Sequence, residues 1–381
     1  MRANLPLVAA GFAIGLVFTL GLGVVTAVPD TPVLPAAQAE PVADCAHAPV
    51  AERAAQVLIA GLPHVIQPNH PLVADLGTLG VGGVLISKGN VRNAAQVRRL
   101  VAALRVGSER PPIVATDEEP GRVSSFGEVL GRFSSARTLA RKQSPAEVED
   151  FGRQLGVELR NLGMDVDFGP VADVDGGPSQ GVIGDRSFSG DPDTAATYAL
   201  AFSRGLWSGG VLPAPKHFPG HGRSRVDDRE ALGVVHASLR ALRATDLVPF
   251  RAQIRSGVRA MMVGHVAYDA LDRGVPASLS PRAYALLRGL GFHGAAVTAA
   301  LDDRAIAEGW DLREASVAAL AAGADALLVA DGGKALMMRD AIVKAVADGE
   351  LSDARLAQAA GRMMVLKGHD PREMTCPSAL T

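Results

Sequence analysis

Short apolar runs recur along the chain and alternate with segments that have helical spacing. Each run contains four to eight residues, which is the usual length of a buried β-strand. These runs predict strands at residues 83–87, 113–117, 164–171, 211–215, 260–266, 295–298 and 326–330.

The segments between the runs predict helices. Residues 97–104 carry apolar side chains at positions i, i+3, i+4 and i+7, which lie on one face of a helix. Ser144 and Glu147 form a capping-box pattern with a proline at the first helical position, so a helix is expected to begin there. Residues 313–322 and 352–367 show the same helical pattern.

The alternation of strands and helices is typical of parallel βαβ units and of the α/β class. Seven or eight such units predict a single (β/α)8 TIM-type barrel. A doubly wound open sheet is the alternative. The sequence contains no phosphate-binding G-x-G-x-x-G or G-x-x-x-x-G-K-[ST] motif that would support it. We find no internal repeat and predict no second domain.

Composition excludes some classes of protein. Hydrophobic residues make up 48% of the 381 residues, which excludes a disordered chain. The 38 Lys and Arg residues nearly balance the 40 Asp and Glu residues, so the charge does not indicate nucleic-acid binding. Aromatic residues reach only 4%, which disfavours a carbohydrate-binding module built on aromatic platforms. We predict no cofactor and no metal site.

The N-terminal segment predicts the compartment. Residues 5–28 carry no charge, Arg2 precedes them and Asp30 follows. A membrane-spanning helix needs about 20 apolar residues, whereas a signal-peptide core usually has about 7–15. By length, residues 1–28 are predicted to be a transmembrane anchor, which makes the remaining chain extracytoplasmic. A cleaved signal ending in Ala-Gln-Ala at residues 37–39, and hence a secreted protein, is the alternative.

A proline-containing linker is predicted to separate this segment from the barrel domain. Residues 29–44 contain four prolines and are expected to be extended, so the barrel domain spans residues 45–381. The two cysteines, Cys45 and Cys376, lie near opposite ends of that domain. Domain ends often lie close together and the predicted compartment is oxidising, so we expect a Cys45–Cys376 disulfide. Two free thiols are the alternative.

Polar residues follow four of the predicted strands. In a (β/α)8 barrel the carboxyl ends of the strands meet at the face that carries active sites. Taken singly, an aspartate at such a position is better explained as a helix cap, and a histidine as a structural residue. Their joint placement predicts a site made from Asp117, Asp173, Asp175, Lys216, His217 and His265.

Seven sequence stretches carry a resemblance to a known family. They are GGVLI at 82–86, DEEPGRV at 117–123, FGPVADV at 168–174, IGDRSF at 183–188, KHFPGHG at 216–222, GHVAY at 264–268 and PASLS at 276–280. Over nearly all of residues 46–367 the chain resembles the bacterial β-N-acetylglucosaminidase branch of family 3 glycoside hydrolases.

The resemblance implies removal of terminal N-acetylglucosamine from glycans, cell-wall muropeptides included, with retention of configuration. Retention needs a nucleophile and an acid/base group on either side of the scissile bond. In the family, the nucleophile is the first Asp of an [ST]-D-D-L stretch. The acid/base group is the His of a D-S-H loop, polarised by the Asp two residues earlier. By the resemblance, the positions that bind the sugar are Asp117, Arg186, Lys216 and His217.

The nucleophile position is altered in this chain. In the family register that starts at Phe292, the [ST]-D-D-L stretch corresponds to residues 298–301, which read Thr-Ala-Ala-Leu. Ala299 therefore stands where the nucleophile is expected. An alanine methyl group cannot attack an anomeric carbon.

The acid/base position is altered as well. Four residues after the KHFPGHG motif, the D-S-H loop corresponds to Asp227, Asp228 and Arg229. Arg229 thus replaces the histidine, while Asp227 matches the polarising aspartate. Arginine has a pKa above ~12 and cannot donate and recover a proton near neutral pH.

Other positions also depart from the family pattern. Ser125 stands where a second sugar-binding arginine is usual, and Pro120 replaces a glycine. Asp302, Asp303 and Glu230 lie near the altered positions. We interpret Asp302 and Asp303 as residues that cap or begin the next helix, and Glu230 as an acid with no nucleophile to act with.

These departures predict a catalytically inactive protein of the cell envelope. We expect it to bind an N-acetylglucosamine-containing wall glycan or an envelope protein, and to regulate peptidoglycan remodelling. An active β-N-acetylhexosaminidase that uses non-standard residues is the alternative function.

Overall fold

The computed structural model describes residues 48–106, 108 and 110–370. The predicted anchor, the linker and the Cys45–Cys376 disulfide lie outside the described residues. Within the part of the chain that is described, no helix is long and apolar enough to cross a membrane.

The strands are short and most are fully buried. They are β1 Leu58–Gly61, β2 Gly83–Ile86, β3 Ile113–Thr116, β4 Val166–Asp167, β5 Leu212–Pro213, β6 Val234–Val235, β7 Ala260–Val263, β8 Ala267–Tyr268, β9 Ala295–Thr298 and β10 Leu327–Val329.

Eight of these described strands form a closed parallel ring. β1 to β5 pair in chain order, and β10 pairs with β1. β7 pairs with β9. Parallel bridges from Phe218 to Val263 and from Val297 to Ala326 join the two remaining gaps. The strands β6 and β8 pair with each other outside the ring.

A main helix follows each strand of the ring, which confirms the predicted α/β class and the alternation of βα units. The helices are α1 Val50–Gln56, α2 Pro71–Leu79, α3 Ala94–Arg105, α4 Gly127–Leu130, α5 Ala136–Lys142, α6 Pro145–Leu162, α7 Pro192–Ser208, α8 Leu239–Ala244, α9 Leu247–Arg255, α10 Pro281–Gly289, α11 Arg304–Ala307, α12 Leu312–Ala322, α13 Ala335–Ala347 and α14 Asp353–Leu366.

The predicted helices are confirmed, and so is the capping box of α6. The Ser144 hydroxyl accepts a hydrogen bond from the Glu147 N–H, and the Glu147 carboxylate accepts one from the Ser144 N–H. The two groups satisfy N–H donors that have no partner inside the helix.

The strand predictions did not include β6 and β8, which pair outside the ring, and they extended β7 to residue 266, although it ends at Val263. They were wrong in two further respects. They omitted β1, because only Val57 separates the end of α1 from the start of that strand, and its apolar run merges with the helix. They also made β4 and β5 too long. Pro170, Pro213 and Pro215 lie in or beside these strands, and proline has no N–H to donate to a β-ladder.

Alternation along the strands decides which residues face the barrel axis. Ala295, Val297 and Ala299 of the β9 segment share one core cluster with Met262 and Leu328 from the neighbouring strands. Ala296, which lies between the first two, belongs instead to the core between strands and helices. Ala299 therefore faces the barrel interior at the carboxyl end of β9.

At the opposite end of the barrel, one buried carboxylate accepts hydrogen bonds from several segments. Asp325, fully buried before β10, accepts hydrogen bonds from Arg288, from Arg355 at 3.1 Å and from Arg362 at 2.9 Å. It also accepts one from the Ala296 N–H at 2.9 Å. The carboxylate thus ties α10 and α14 to the strands.

Asp325→Asn should lower the free energy of unfolding by about 3–5 kcal/mol, because three arginines lose their shared counter-charge in a buried setting. Urea denaturation at pH 7 measures the difference. Asp150→Asn is the matched control, since its pair with Arg153 is exposed, and it should change the midpoint little. Equal midpoints for the two variants would contradict this role of Asp325.

Candidate functional site

A cavity of about 230 Å³ opens at the carboxyl ends of the barrel strands. Parallel strands in a closed ring direct the residues that follow them toward this face. All seven positions that the sequence indicated for sugar binding or for altered chemistry line this cavity: Asp117, Arg186, Lys216, His217, Asp227, Arg229 and Ala299.

One wall of the cavity is organised around Glu119. This side chain is 2% exposed and accepts two hydrogen bonds from Arg186, both at 2.8 Å. Lys216 is equally buried, with its Nζ 2.6 Å from Glu119 Oε1 and a further hydrogen bond to Asp117. The cluster joins the segments that follow β3, β4 and β5.

The charges within this cluster shift the pKa values of its members. Burial alone would raise the pKa of Glu119, but the positive charges of Arg186 and Lys216 outweigh it and hold the pKa well below its usual range. Burial likewise opposes the charged form of Lys216, yet the carboxylates of Asp117 and Glu119 raise its pKa. Glu119, Arg186 and Lys216 are therefore charged at neutral pH.

The segment at 216–222 is held in place by Asp173. This buried carboxylate accepts hydrogen bonds from the backbone N–H groups of His217 at 3.1 Å and His221 at 2.7 Å. The His217 ring contacts it through Nδ1 at 2.8 Å. Burial lowers the pKa of His217, so the ring is neutral at pH 7. A neutral ring that donates from Nδ1 keeps Nε2 as an acceptor.

The two altered positions face the same space. Ala299 is 8% exposed and contributes only a methyl group to the cavity. Arg229 is bound to Asp227, with Nε 3.0 Å and Nη2 2.6 Å from the two carboxylate oxygens. This bidentate pair lowers the pKa of Asp227 to about 2. Asp227 therefore serves as counter-charge to the arginine.

Of the two acids interpreted as residues that cap or begin the next helix, Asp303 is the N-cap residue of α11, whereas Asp302 has a different role. Asp302 accepts hydrogen bonds from the N–H groups of Ala330 at 2.7 Å and Asp331 at 3.1 Å, so it holds the segment after β10. Asp303 precedes α11, but its side chain makes no capping hydrogen bond within the described residues and lines the cavity. Glu230 is exposed and does not line the cavity.

Other residues at the strand ends have structural contacts. Asp175 accepts hydrogen bonds from the N–H groups of Gly177 and Gly184 and thereby shapes the segment after β4. His265 is fully buried, with Nδ1 2.7 Å from the Ser278 hydroxyl and Nε2 2.9 Å from the Ala300 carbonyl. Neither residue lines the cavity.

Sequence reasoning missed three residues of the site: Glu119, His221 and Asp228. A signal for Glu119 was present, because Lys216 and Arg186 were predicted to converge and two buried cations need a buried anion. Asp228 and His221 line the cavity on the segment that carries Arg229. His221 belongs to the KHFPGHG motif but was given no role, whereas no pattern in the sequence distinguishes Asp228 from the other polar residues of that segment.

Together, the closed ring and its polar cavity define a (β/α)8 barrel with a candidate site at the carboxyl ends of its strands. The family model of the glycosyl hydrolase family 3 N-terminal domain matches residues 50–366. The chain therefore belongs to glycosyl hydrolase family 3.

Curated relatives and solved structures lie in the same family. The chain is 36% identical to the β-hexosaminidase LpqI of Mycobacterium tuberculosis, over 90% of each protein. It is 34% identical to a β-hexosaminidase of Neisseria meningitidis, over 69% of this chain and 78% of that one.

Two solved structures extend the comparison. A family 3 glycosyl hydrolase from Mycobacterium smegmatis has a TM-score of 0.79 and 35% identity, and covers 85% of this chain and 99% of its own. A family 3 β-N-acetylglucosaminidase from Paenibacillus has a TM-score of 0.78 and 30% identity, over 87% and 64%.

Glu119→Gln should lower the free energy of unfolding at pH 7 by about 3 kcal/mol, because it leaves buried Lys216 and Arg186 without their counter-charge. The folded pKa of Glu119 is lowered, so its contribution is complete above the unfolded pKa of about 4.3 and is lost as the pH falls toward the folded value.

Urea denaturation at pH 7 and at pH 3 measures this effect, and the difference from wild type should shrink at pH 3. Glu52→Gln serves as control, since Glu52 pairs with Arg110 at the surface. A Glu119 variant with the same pH dependence as wild type would contradict the assignment.

Proposed function

We propose that this protein binds a terminal N-acetylglucosamine of a cell-wall glycan in its barrel cavity and does not hydrolyse it. The observation that carries the proposal is Ala299, which lines the cavity at the family's nucleophile position. The binding wall keeps Asp117, Arg186 and Lys216, although Ser125 stands where a second sugar-binding arginine is usual, whereas the positions of the nucleophile and the acid/base group carry Ala299 and Arg229.

The chemistry argues against efficient hydrolysis. A retaining mechanism needs a carboxylate that forms the glycosyl-enzyme bond, and Ala299 has none. It also needs a group that gives and recovers a proton, and the guanidinium of Arg229 stays charged near neutral pH. Residues that act as a unit in catalysis fail as a unit, so the loss of both positions costs several orders of magnitude in rate.

The remaining wall suits a neutral polyol. Asp117 and Arg186 present charged hydrogen-bonding groups to the cavity, and Lys216 lies between them. Charge-assisted hydrogen bonds of this kind are stronger than neutral ones and hold a sugar's hydroxyl groups in fixed directions. The relatives named β-hexosaminidase and β-N-acetylglucosaminidase support N-acetylglucosamine as the sugar.

The location is part of the proposal. The uncharged N-terminal segment supports an extracytoplasmic protein anchored by residues 1–28, or a secreted one after cleavage. In either case the barrel meets wall glycan, and it would act there by occupying glycan ends that hydrolases otherwise use. If the cavity binds no sugar, binding of an envelope protein is the function that would remain.

One observation favours the rival function, an active β-N-acetylhexosaminidase. Asp303 places a carboxyl group in the cavity, on the segment that carries Ala299. It lies four residues beyond the nucleophile position, however, and catalysis is sensitive to displacements of about 1 Å. Hydrolysis through Asp303 would require a different position of the sugar in the cavity.

Isothermal titration calorimetry with a soluble muropeptide fragment tests binding. We expect saturable binding below millimolar ligand, weakened at least about tenfold by Asp117→Ala, because one charge-assisted hydrogen bond contributes about 1.5–3 kcal/mol. Asp331→Ala is the matched control: it also follows a barrel strand and is 47% exposed, against 40% for Asp117, but lies outside the cavity. No binding at millimolar ligand would contradict the proposal.

A chromogenic β-N-acetylglucosaminide tests catalysis. The wild type should show no turnover above background, whereas the double substitution Ala299→Asp with Arg229→His should create turnover by restoring both groups in an intact pocket. Each single substitution is a control and should remain at least about 10³-fold slower. Wild-type turnover that Asp117→Ala abolishes would contradict the non-hydrolytic function and favour the rival one.

A further inference from the structure

Two carboxyl groups, Asp303 and Asp228, remain in the cavity without a role in the proposed recognition of the sugar. Both line the cavity, and they come from different segments: Asp228 from the segment after β5, Asp303 from the segment after β9. His265 lies between them, with its backbone N–H 3.1 Å from Asp228 Oδ2 and its Nε2 4.0 Å from Asp303 Oδ2.

The surrounding side chains leave Asp228 only partly satisfied. Its Oδ2 accepts the hydrogen bond from His265 and lies 3.8 Å from His221 Nδ1. Its Oδ1 is buried and has no hydrogen-bond partner among the residues that the structure describes. A buried carboxylate oxygen without a donor is unfavourable unless a ligand or a water molecule supplies one.

The Asp303 carboxyl group is partly exposed and makes no capping hydrogen bond within the described residues. The neighbouring His265 donates no hydrogen bond to it, because the Nε2–H of His265 is directed to the Ala300 carbonyl at 2.9 Å. Burial lowers the pKa of His265, so this ring also brings no positive charge at pH 7. The neighbouring Asp302, by contrast, receives backbone donors and Lys334 at 3.1 Å. Asp303 is thus the acid on this segment that is directed to the cavity.

The charges that face Asp303 are mostly negative. Asp227, Asp228 and Arg229 face it from the segment after β5, His265 from the segment after β7, and Asp302 from its own segment. Arg229 is the one cation in this set, and Asp227 already binds it. Burial, followed by the charges of Asp228 and Asp302, raises the pKa of Asp303 to about 7.

We propose that Asp303 and Asp228 form a second sugar-contacting pair in which Asp303 is protonated and donates a hydrogen bond to the ligand while Asp228 accepts one. The ligand is the neutral, hydroxyl-rich sugar of the proposed function, on which this inference rests. Its hydroxyl groups can both donate to the Asp228 carboxylate and accept from Asp303, since both residues line the cavity.

This pair makes sugar binding depend on pH. Because the protonated form of Asp303 is the one that binds, affinity should fall as the pH rises. Asp303 carries its proton below its pKa and loses it as the pH rises. A sugar that displaces water from the cavity strengthens the burial effect and favours the protonated form further. When only the protonated form binds, the apparent dissociation constant rises in proportion to the fraction of protein that is ionised.

Calorimetric titration with the muropeptide fragment between pH 5.5 and pH 8.5 tests the proposal. For the wild type, the dissociation constant should be level at low pH and should rise by about tenfold per pH unit well above pH 7. Asp303→Asn keeps the shape and is always neutral, so its dissociation constant should stay near the low-pH wild-type value at every pH. The matched control, Asp75→Asn on exposed α2, should follow the wild type.

A second substitution tests the partnership with Asp228. Asp228→Asn removes the neighbouring negative charge, so the pH at which binding begins to weaken should move downward. If Asp303→Asn retains the wild-type pH dependence, or if the wild type shows none, the pair is not a ligand contact. Absence of sugar binding at every pH in all variants would overturn the proposed function as well, which distinguishes the two failures.

Discussion

The cavity depends on one interaction, the pairing of the buried Glu119 carboxylate with two cations. The carboxylate binds Arg186 and Lys216, which come from two other segments of the barrel face, and so it fixes three segments against one another. The pairing has a physical necessity: neither cation could be buried at this face without a counter-charge. Asp117, beside Lys216 and 40% exposed, is then the member of the cluster that is free to meet a ligand.

Much of this arrangement could be predicted from the sequence, because it depends on local patterns. Apolar runs of strand length and helical periodicity indicated seven of the eight ring strands and the main helices, and the capping box located the start of α6. The family motifs then assigned Asp117, Arg186, Lys216 and His217 to one site. The cavity brings these four residues together, as a (β/α)8 ring requires of residues that follow its strands.

What could not be predicted depends on contacts between distant segments. Asp302 and Asp303 are adjacent and chemically identical, yet one binds backbone N–H groups after β10 and the other faces the cavity. A propensity argument gives both the same role as helix caps. The difference arises from the position of β10, which lies beside β9 in the ring and supplies donors only to Asp302. The same reasoning applies to Asp228, whose surroundings include His265 from a segment 37 residues away.

The altered positions and the unaltered positions of the cavity form two distinct groups. By the family resemblance, Ala299 and Arg229 stand where the two groups that retention of configuration requires are expected, while the Glu119 cluster and Asp173, which shape the cavity, form hydrogen bonds. A barrel that had lost all function would have no reason to maintain buried charges, because an apolar replacement of a buried ion pair is often as stable. This contrast is the physical basis of our proposal that the cavity binds a sugar without hydrolysing it.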